Sequence, residues 1–189
     1  MDALLLSFGV IFVAELGDKS QLMALAFAAR YKALPVLAGI TIATAIVHAL
    51  SVVVGVSVGA AFPTEVISVV AGVAFLGFGL WTLRGDSLSE AEAAKAHRSD
   101  RSALVAASLA FFLAELGDKT MLATITLATT EGAFGTWAGS TLGMVAADAL
   151  AIAVGSVLGT RLPGRAIRIG AAISFFVFGA LLIAEGLRG

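Results

Sequence analysis

Apolar residues run in six long stretches along the chain, at residues 4–29, 33–61, 66–83, 103–130, 133–160 and 167–187. Polar residues interrupt them at 30–32, 63–65, 84–102, 131–132 and 161–168. A helix that crosses the hydrocarbon core of a bilayer needs about 20 predominantly apolar residues. The pattern therefore predicts an all-α membrane protein with six transmembrane helices joined by short loops. Strict alternation of apolar and polar positions, which would mark a barrel strand, is absent. The first stretch is not expected to be a removable export signal. Asp2 stands where such a signal carries basic residues, and the apolar run is too long.

The stretches form two sets of three. A shift of 100 residues aligns Ala14–Lys19 with Ala114–Lys119 without a mismatch, and pairs Gly39 with Gly139, Gly55 with Gly155, Gly59 with Gly159, Pro63 with Pro163 and Gly79 with Gly179. Residues 1–83 thus form a first three-helix repeat, 84–102 a cytoplasmic linker and 103–189 a second repeat. Three spans per repeat oblige the second copy to enter the membrane from the opposite face. Loop charge agrees, because cytoplasmic loops are enriched in Lys and Arg. With both termini outside, nine basic residues (Arg30, Lys32, Arg84, Lys95, Arg98, Arg101, Arg161, Arg165 and Arg168) fall inside and Arg188 alone outside. The expected architecture is two inverted three-helix repeats, as in many secondary transporters.

Composition narrows the class. Of 189 residues 59% are hydrophobic and 13% charged, against about 25% charged in soluble domains. A soluble enzyme is excluded. The net charge of −1 includes no basic tail, so nucleic acid is not an expected partner; the lipid bilayer is. With no cysteine there is no disulfide or thiolate site. The mixed charges at 87–101 read as a short solvated connecting helix. Trp81 and Trp137 read as interfacial anchors, and the Gly-x-x-x-Gly pairs at 55/59, 155/159 and 135/139/143 as helix contacts within the molecule.

Charge within the apolar stretches is the informative exception. Glu15 and Glu115 lie about twelve residues into their spans, near the bilayer midplane. Asp18 and Asp118 follow three residues later, on the same helical face. Each such charge costs at least ~2.5 kcal/mol at a helix centre. Lys19 and Lys119 neutralise only two of the four acids. The remaining formal charge of about −2 is balanced by one divalent cation or by two protons, which is the logic of exchange. Carboxylates, the Gln21 amide and the hydroxyls of Ser20 and Thr120 are hard oxygen donors, suited to Ca²⁺, Mn²⁺ or Mg²⁺. Gly17 and Gly117 would permit close helix approach or local unwinding that exposes carbonyls. His48 and Asp148 occupy equivalent places in the second and fifth spans and read as accessory ligands or proton carriers; the alternatives are a structural partner of Lys19 or Lys119 for Asp148 and a hydrogen-bonded core group for His48. Six spans would also suit a divalent-cation channel, selective through its acids, or an exporter of a small organic solute. A channel would follow voltage rather than a proton gradient, and an organic solute would need an apolar or amphipathic pocket.

The segments Glu-Leu-Gly-Asp-Lys-Ser at 15–20 and Glu-Leu-Gly-Asp-Lys-Thr at 115–120 resemble the duplicated Glu-x-Gly-Asp-(Lys/Arg)-(Ser/Thr) signature of the Gdt family. These are small six-helix cation/proton exchangers that include Golgi manganese/calcium transporters and bacterial manganese exporters. The resemblance covers the whole chain. It implies a transporter rather than an enzyme, without a cofactor, exporting Mn²⁺ and as second candidate Ca²⁺ in exchange for protons. It carries the ion-binding role onto Glu15, Asp18, Ser20, Glu115, Asp118 and Thr120. The short termini then point to a bacterial plasma membrane. The family commonly has Gln after the Ser/Thr in both motifs; Gln21 keeps it and Met121 does not. The two half-sites therefore differ, and a thioether, a softer ligand, would lean toward Mn²⁺.

Overall fold

A computed structural model describes residues 2–84, 102–158 and 164–188. All but the ends of the linker expected at 84–102 lies outside the described residues, as do Gly159, Arg161 and Pro163. The described chain forms eight helices: α1 (Ala3–Glu15), α2 (Lys19–Arg30), α3 (Ala33–Ala61), α4 (Thr64–Arg84), α5 (Ala103–Glu115), α6 (Lys119–Thr130), α7 (Ala133–Leu158) and α8 (Gly164–Gly186). No strand occurs among the described residues. Every helix of the second half starts 100 residues after its counterpart, so the sequence repeat is also a repeat of elements.

Four of the helical stretches are long and apolar enough to cross a membrane: α3, α4, Ala133–Val154 of α7 and Ile169–Gly186 of α8. α1 and α5 are apolar but shorter. Here the structure corrects the expectation of continuous first and fourth spans, because 4–29 and 103–130 are each divided in two. Leu16 and Asp18 are extended, and Gly17 between them has φ +76°. Gly117 repeats this at φ +80°. A left-handed residue cannot continue a right-handed helix, and glycine is the residue that adopts it without strain. Hydropathy runs through the break because the surrounding side chains remain apolar.

Exposure is inverted relative to a soluble protein. Glu15, Asp18, His48, Glu115, Asp118, Lys119 and Asp148 are buried, while Val70, Leu80, Ile173, Val177 and Leu181 on α4 and α8 are exposed. Apolar outside and charged inside is the arrangement a bilayer demands.

The halves interlock rather than lie side by side. α1 packs along α7 of the other half, α3 along α5 and α6, and α4 along α8. Small residues make these approaches close. A Cβ on Gly39 would lie 2.6 Å from the Leu104 carbonyl oxygen, and one on Gly139 would overlap that of Leu4. Gly72 and Gly179 would meet each other's carbonyls at 2.6 and 2.7 Å. The glycine series at 135, 139 and 143 therefore serves contact within the molecule, against α1. Phe75, Phe78, Phe175 and Phe178 fill the α4–α8 seam, and Phe27 and Phe111 pack with Met23 and Ile40 near α3. Trp137 donates its indole N–H to the Ala45 carbonyl of α3 at 2.9 Å.

Candidate cation site

The site lies at the two breaks. α1 ends at Glu15 and α2 begins at Lys19, with Asp18 at its N-cap, where the positive end of the helix dipole favours a carboxylate. Asp18 makes no capping bond with its side chain, which instead turns to the other half. Its Oδ1 lies 2.6 Å from Lys119 Nζ. Asp118 Oδ1 lies 3.4 Å from Lys19 Nζ. Each lysine thus closes on the aspartate of the opposite motif, which sequence reading had not assigned. The pairs are unequal, for the side chain of Lys119 is 3% exposed and that of Lys19 22%.

The glutamates are less satisfied. Glu115 Oε2 accepts from the Thr120 hydroxyl at 2.8 Å. Glu115 Oε1, both oxygens of Glu15, both of Asp148 and Asp118 Oδ2 are buried without a hydrogen-bond partner among the described residues. Ser20 Oγ reaches Asp18 Oδ2 at 3.4 Å. Glu15 is within electrostatic reach of Glu115, Asp18, Asp148 and Lys119, and Glu115 is within reach of Asp118. A buried polar group left unpaired costs about 1–3 kcal/mol, and more when charged. These six carboxylate oxygens are acceptors that nothing among the described residues satisfies. Among the described residues no three His, Asp or Glu side chains stand close enough to hold a metal ion. This arrangement of the cluster is one closed by lysine.

Position 21 and its counterpart hold the breaks in shape. Gln21 Oε1 accepts the Gly17 N–H at 2.8 Å, and Gln21 Nε2 donates to the Ala147 carbonyl at 3.0 Å, next to Asp148. Met121 Sδ takes the Gly117 N–H at 3.2 Å. The thioether expected as a soft ligand therefore does the backbone work of the amide it replaces. Thr44 Oγ1 also meets Met144 Sδ at 3.3 Å where α3 and α7 cross. Sequence reading missed this contact, although the residues are 100 apart, the interval of the repeat.

Comparison with known proteins fixes the family. The model of "Divalent cation/proton antiporter GDT1" matches residues 3–90 and 103–189. The chain belongs to this family. A Vibrio cholerae relative that carries the name of a manganese exporter is 36% identical over 171 residues, 89% of this chain and 84% of the relative. The chloroplast protein PAM71 of Arabidopsis thaliana is 33% identical over 208 residues; they cover 95% of this chain but 56% of the plant protein. The divalent cation/proton antiporter GDT1 of Saccharomyces cerevisiae is 25% identical over 234 residues, covering 97% and 84%. No solved structure matches the chain. As a GDT1 antiporter it is a multi-pass membrane transporter rather than an enzyme, and the ions it moves are substrates rather than cofactors.

Proposed function

We propose that this chain exports Mn²⁺ from the cytoplasm in exchange for protons, with Ca²⁺ as a second substrate, across a bacterial plasma membrane. In this reading α1 with α2, and α5 with α6, each make one broken span, giving six spans in two inverted repeats with both termini outside. Glu15, Asp18, Ser20, Gln21, Glu115, Asp118 and Thr120 form the ion site, with Lys19, Lys119, His48 and Asp148 around it. The carrying observation is the excess of acid: four buried motif carboxylates converge on two lysines. A divalent ion entering this cluster neutralises what two protons would otherwise neutralise, so the two compete.

A shape difference between the halves supports alternation rather than a fixed pore. α3 holds α6 closely, since a Cβ on Gly55 or Gly59 would overlap the Ile125 or Thr129 carbonyl. In the other half α2 and α7 meet where Gln21 reaches the Ala147 carbonyl, and beyond that contact they border, with α3, a cavity of about 470 Å³ lined by Leu25, Ala28, Ala29, Ala33, Leu37 and Ala149. Two halves alike in sequence and unlike in shape can exchange shapes, opening the site to one side at a time.

The test is exchange in liposomes, with internal Mn²⁺ reported by a trapped dye. Acid inside should drive Mn²⁺ entry with matching proton efflux, and Glu15→Gln or Glu115→Gln should abolish both. Apparent Mn²⁺ affinity should fall as pH falls on the binding side, by up to about a hundredfold per pH unit if two protons compete. Normal exchange in both variants, or flux that follows voltage and ignores the proton gradient, would overturn the proposal.

A further inference from the structure

His48 is the largest buried polar group that the motifs leave unused. It is fully buried on α3, and neither ring nitrogen has a hydrogen-bond partner among the described residues. A structural histidine in a core normally satisfies at least one nitrogen. This one is satisfied by nothing among the described residues.

Its position follows from the glycine contacts. Gly55 of α3 meets Ile125 of α6, and Gly59 meets Thr129, so four residues along one helix match four along the other. The two helices therefore run parallel and in register. Seven residues are two turns of helix and return to nearly the same face. Seven back from Gly55 is His48, and seven back from Ile125 is Asp118. Gly39, against Leu104 and Ser108 of α5, brackets the same level from the other end. His48 thus stands level with the second break, where Asp118 Oδ2 and Glu115 Oε1 also lack partners among the described residues. The equivalent residue, Asp148, is within electrostatic reach of Asp18 at the first break.

We infer that His48 is a nitrogen ligand for the transported cation at the second half of the site, standing where Asp148 stands at the first. The inference rests on the exchanger reading above. One half then offers a carboxylate and the other an imidazole. Ca²⁺ takes oxygen ligands and gains nothing from an imidazole, whereas a first-row transition ion accepts one. His48 is accordingly a selectivity residue, tilting a site built of hard oxygens toward Mn²⁺.

Electron spin-echo spectroscopy of the full-length protein loaded with Mn²⁺ tests the bond itself. The expected result is modulation from histidine ¹⁴N, retained in His97→Gln, which removes the only other histidine, and lost in His48→Gln. In liposomes His48→Gln should lower Mn²⁺ exchange about tenfold and Ca²⁺ exchange by a severalfold smaller factor, so that the Mn²⁺-to-Ca²⁺ ratio falls. Bound and transported Mn²⁺ without ¹⁴N modulation in the wild type would overturn the inference and leave the exchanger standing. That spectrum decides even if the variant fails to fold. Modulation that survives His48→Gln, or equal loss of both ions, would likewise overturn it. A wild-type protein that neither binds nor exchanges Mn²⁺ would overturn both.

Discussion

The two crosswise ion pairs are built from the same two residue types in the same motif, yet they sit in different surroundings. Lys119 is sealed against Asp18, while Lys19 keeps 22% of its side chain exposed against Asp118. Removing one partner of a buried pair costs about 3–5 kcal/mol because the other charge is left uncompensated, and the cost falls where one partner keeps contact with solvent. Lys119→Gln should therefore lower thermal stability in detergent markedly more than Lys19→Gln. A closely spaced pair of melting temperatures would show that the lysines share one environment. At this scale the sequence was informative about which residues matter and silent about their partners. Glu15, Asp18, Glu115 and Asp118 announce themselves as charges in apolar runs. That Lys119 reaches Asp18 depends on the register between two helices a hundred residues apart, which no local pattern encodes.

Helices carry the same lesson differently. The six apolar stretches were legible because burial in lipid and burial in protein both select apolar side chains. The division of two of them was legible only as the local unwinding that Gly17 and Gly117 would permit, since Leu16 and Leu116 keep hydropathy high across the turn. Where helices touch, the glycines were readable as contacts but not as contacts with a particular helix. Gly139 shows how much rests on one such contact. A Cβ there would overlap the Leu4 backbone, which cannot yield as a flexible side chain would, so α1 must move away from α7. Because α1 delivers Glu15 to the site, Gly139→Ala should reduce both stability and ion exchange. Gly77, with nothing within 4 Å of its Cβ position, is the control. Gly77→Ala should leave exchange unchanged and raise stability by a few tenths to about 1 kcal/mol, as expected for Gly to Ala within a helix. Melting curves of the two variants, run beside exchange assays, check both statements.

Across the whole molecule, interlocking makes each half dependent on the other. α1 of the first half lies along α7 of the second, and α3 of the first along α5 and α6. Residues 1–90 and 95–189 produced as separate polypeptides in one cell should therefore find each other in the membrane and co-purify, and co-production should restore exchange. Recovery of the two pieces apart would show that the covalent connection is needed for assembly. The crosswise lysine–aspartate pairs carry this further, into the history of the chain. Lys19 reaches Asp118 and Lys119 reaches Asp18, and both motifs hold the same Asp-Lys dipeptide. A lone half meeting a second copy of itself in the opposite orientation would find its own aspartate facing its own lysine twice over, an isologous two-fold contact. Such a half needs no change at these positions to assemble as a dual-topology homodimer. Gene duplication and fusion would then have freed each copy to drift, so that one now carries Gln21 and His48 and the other Met121 and Asp148 in the same seats.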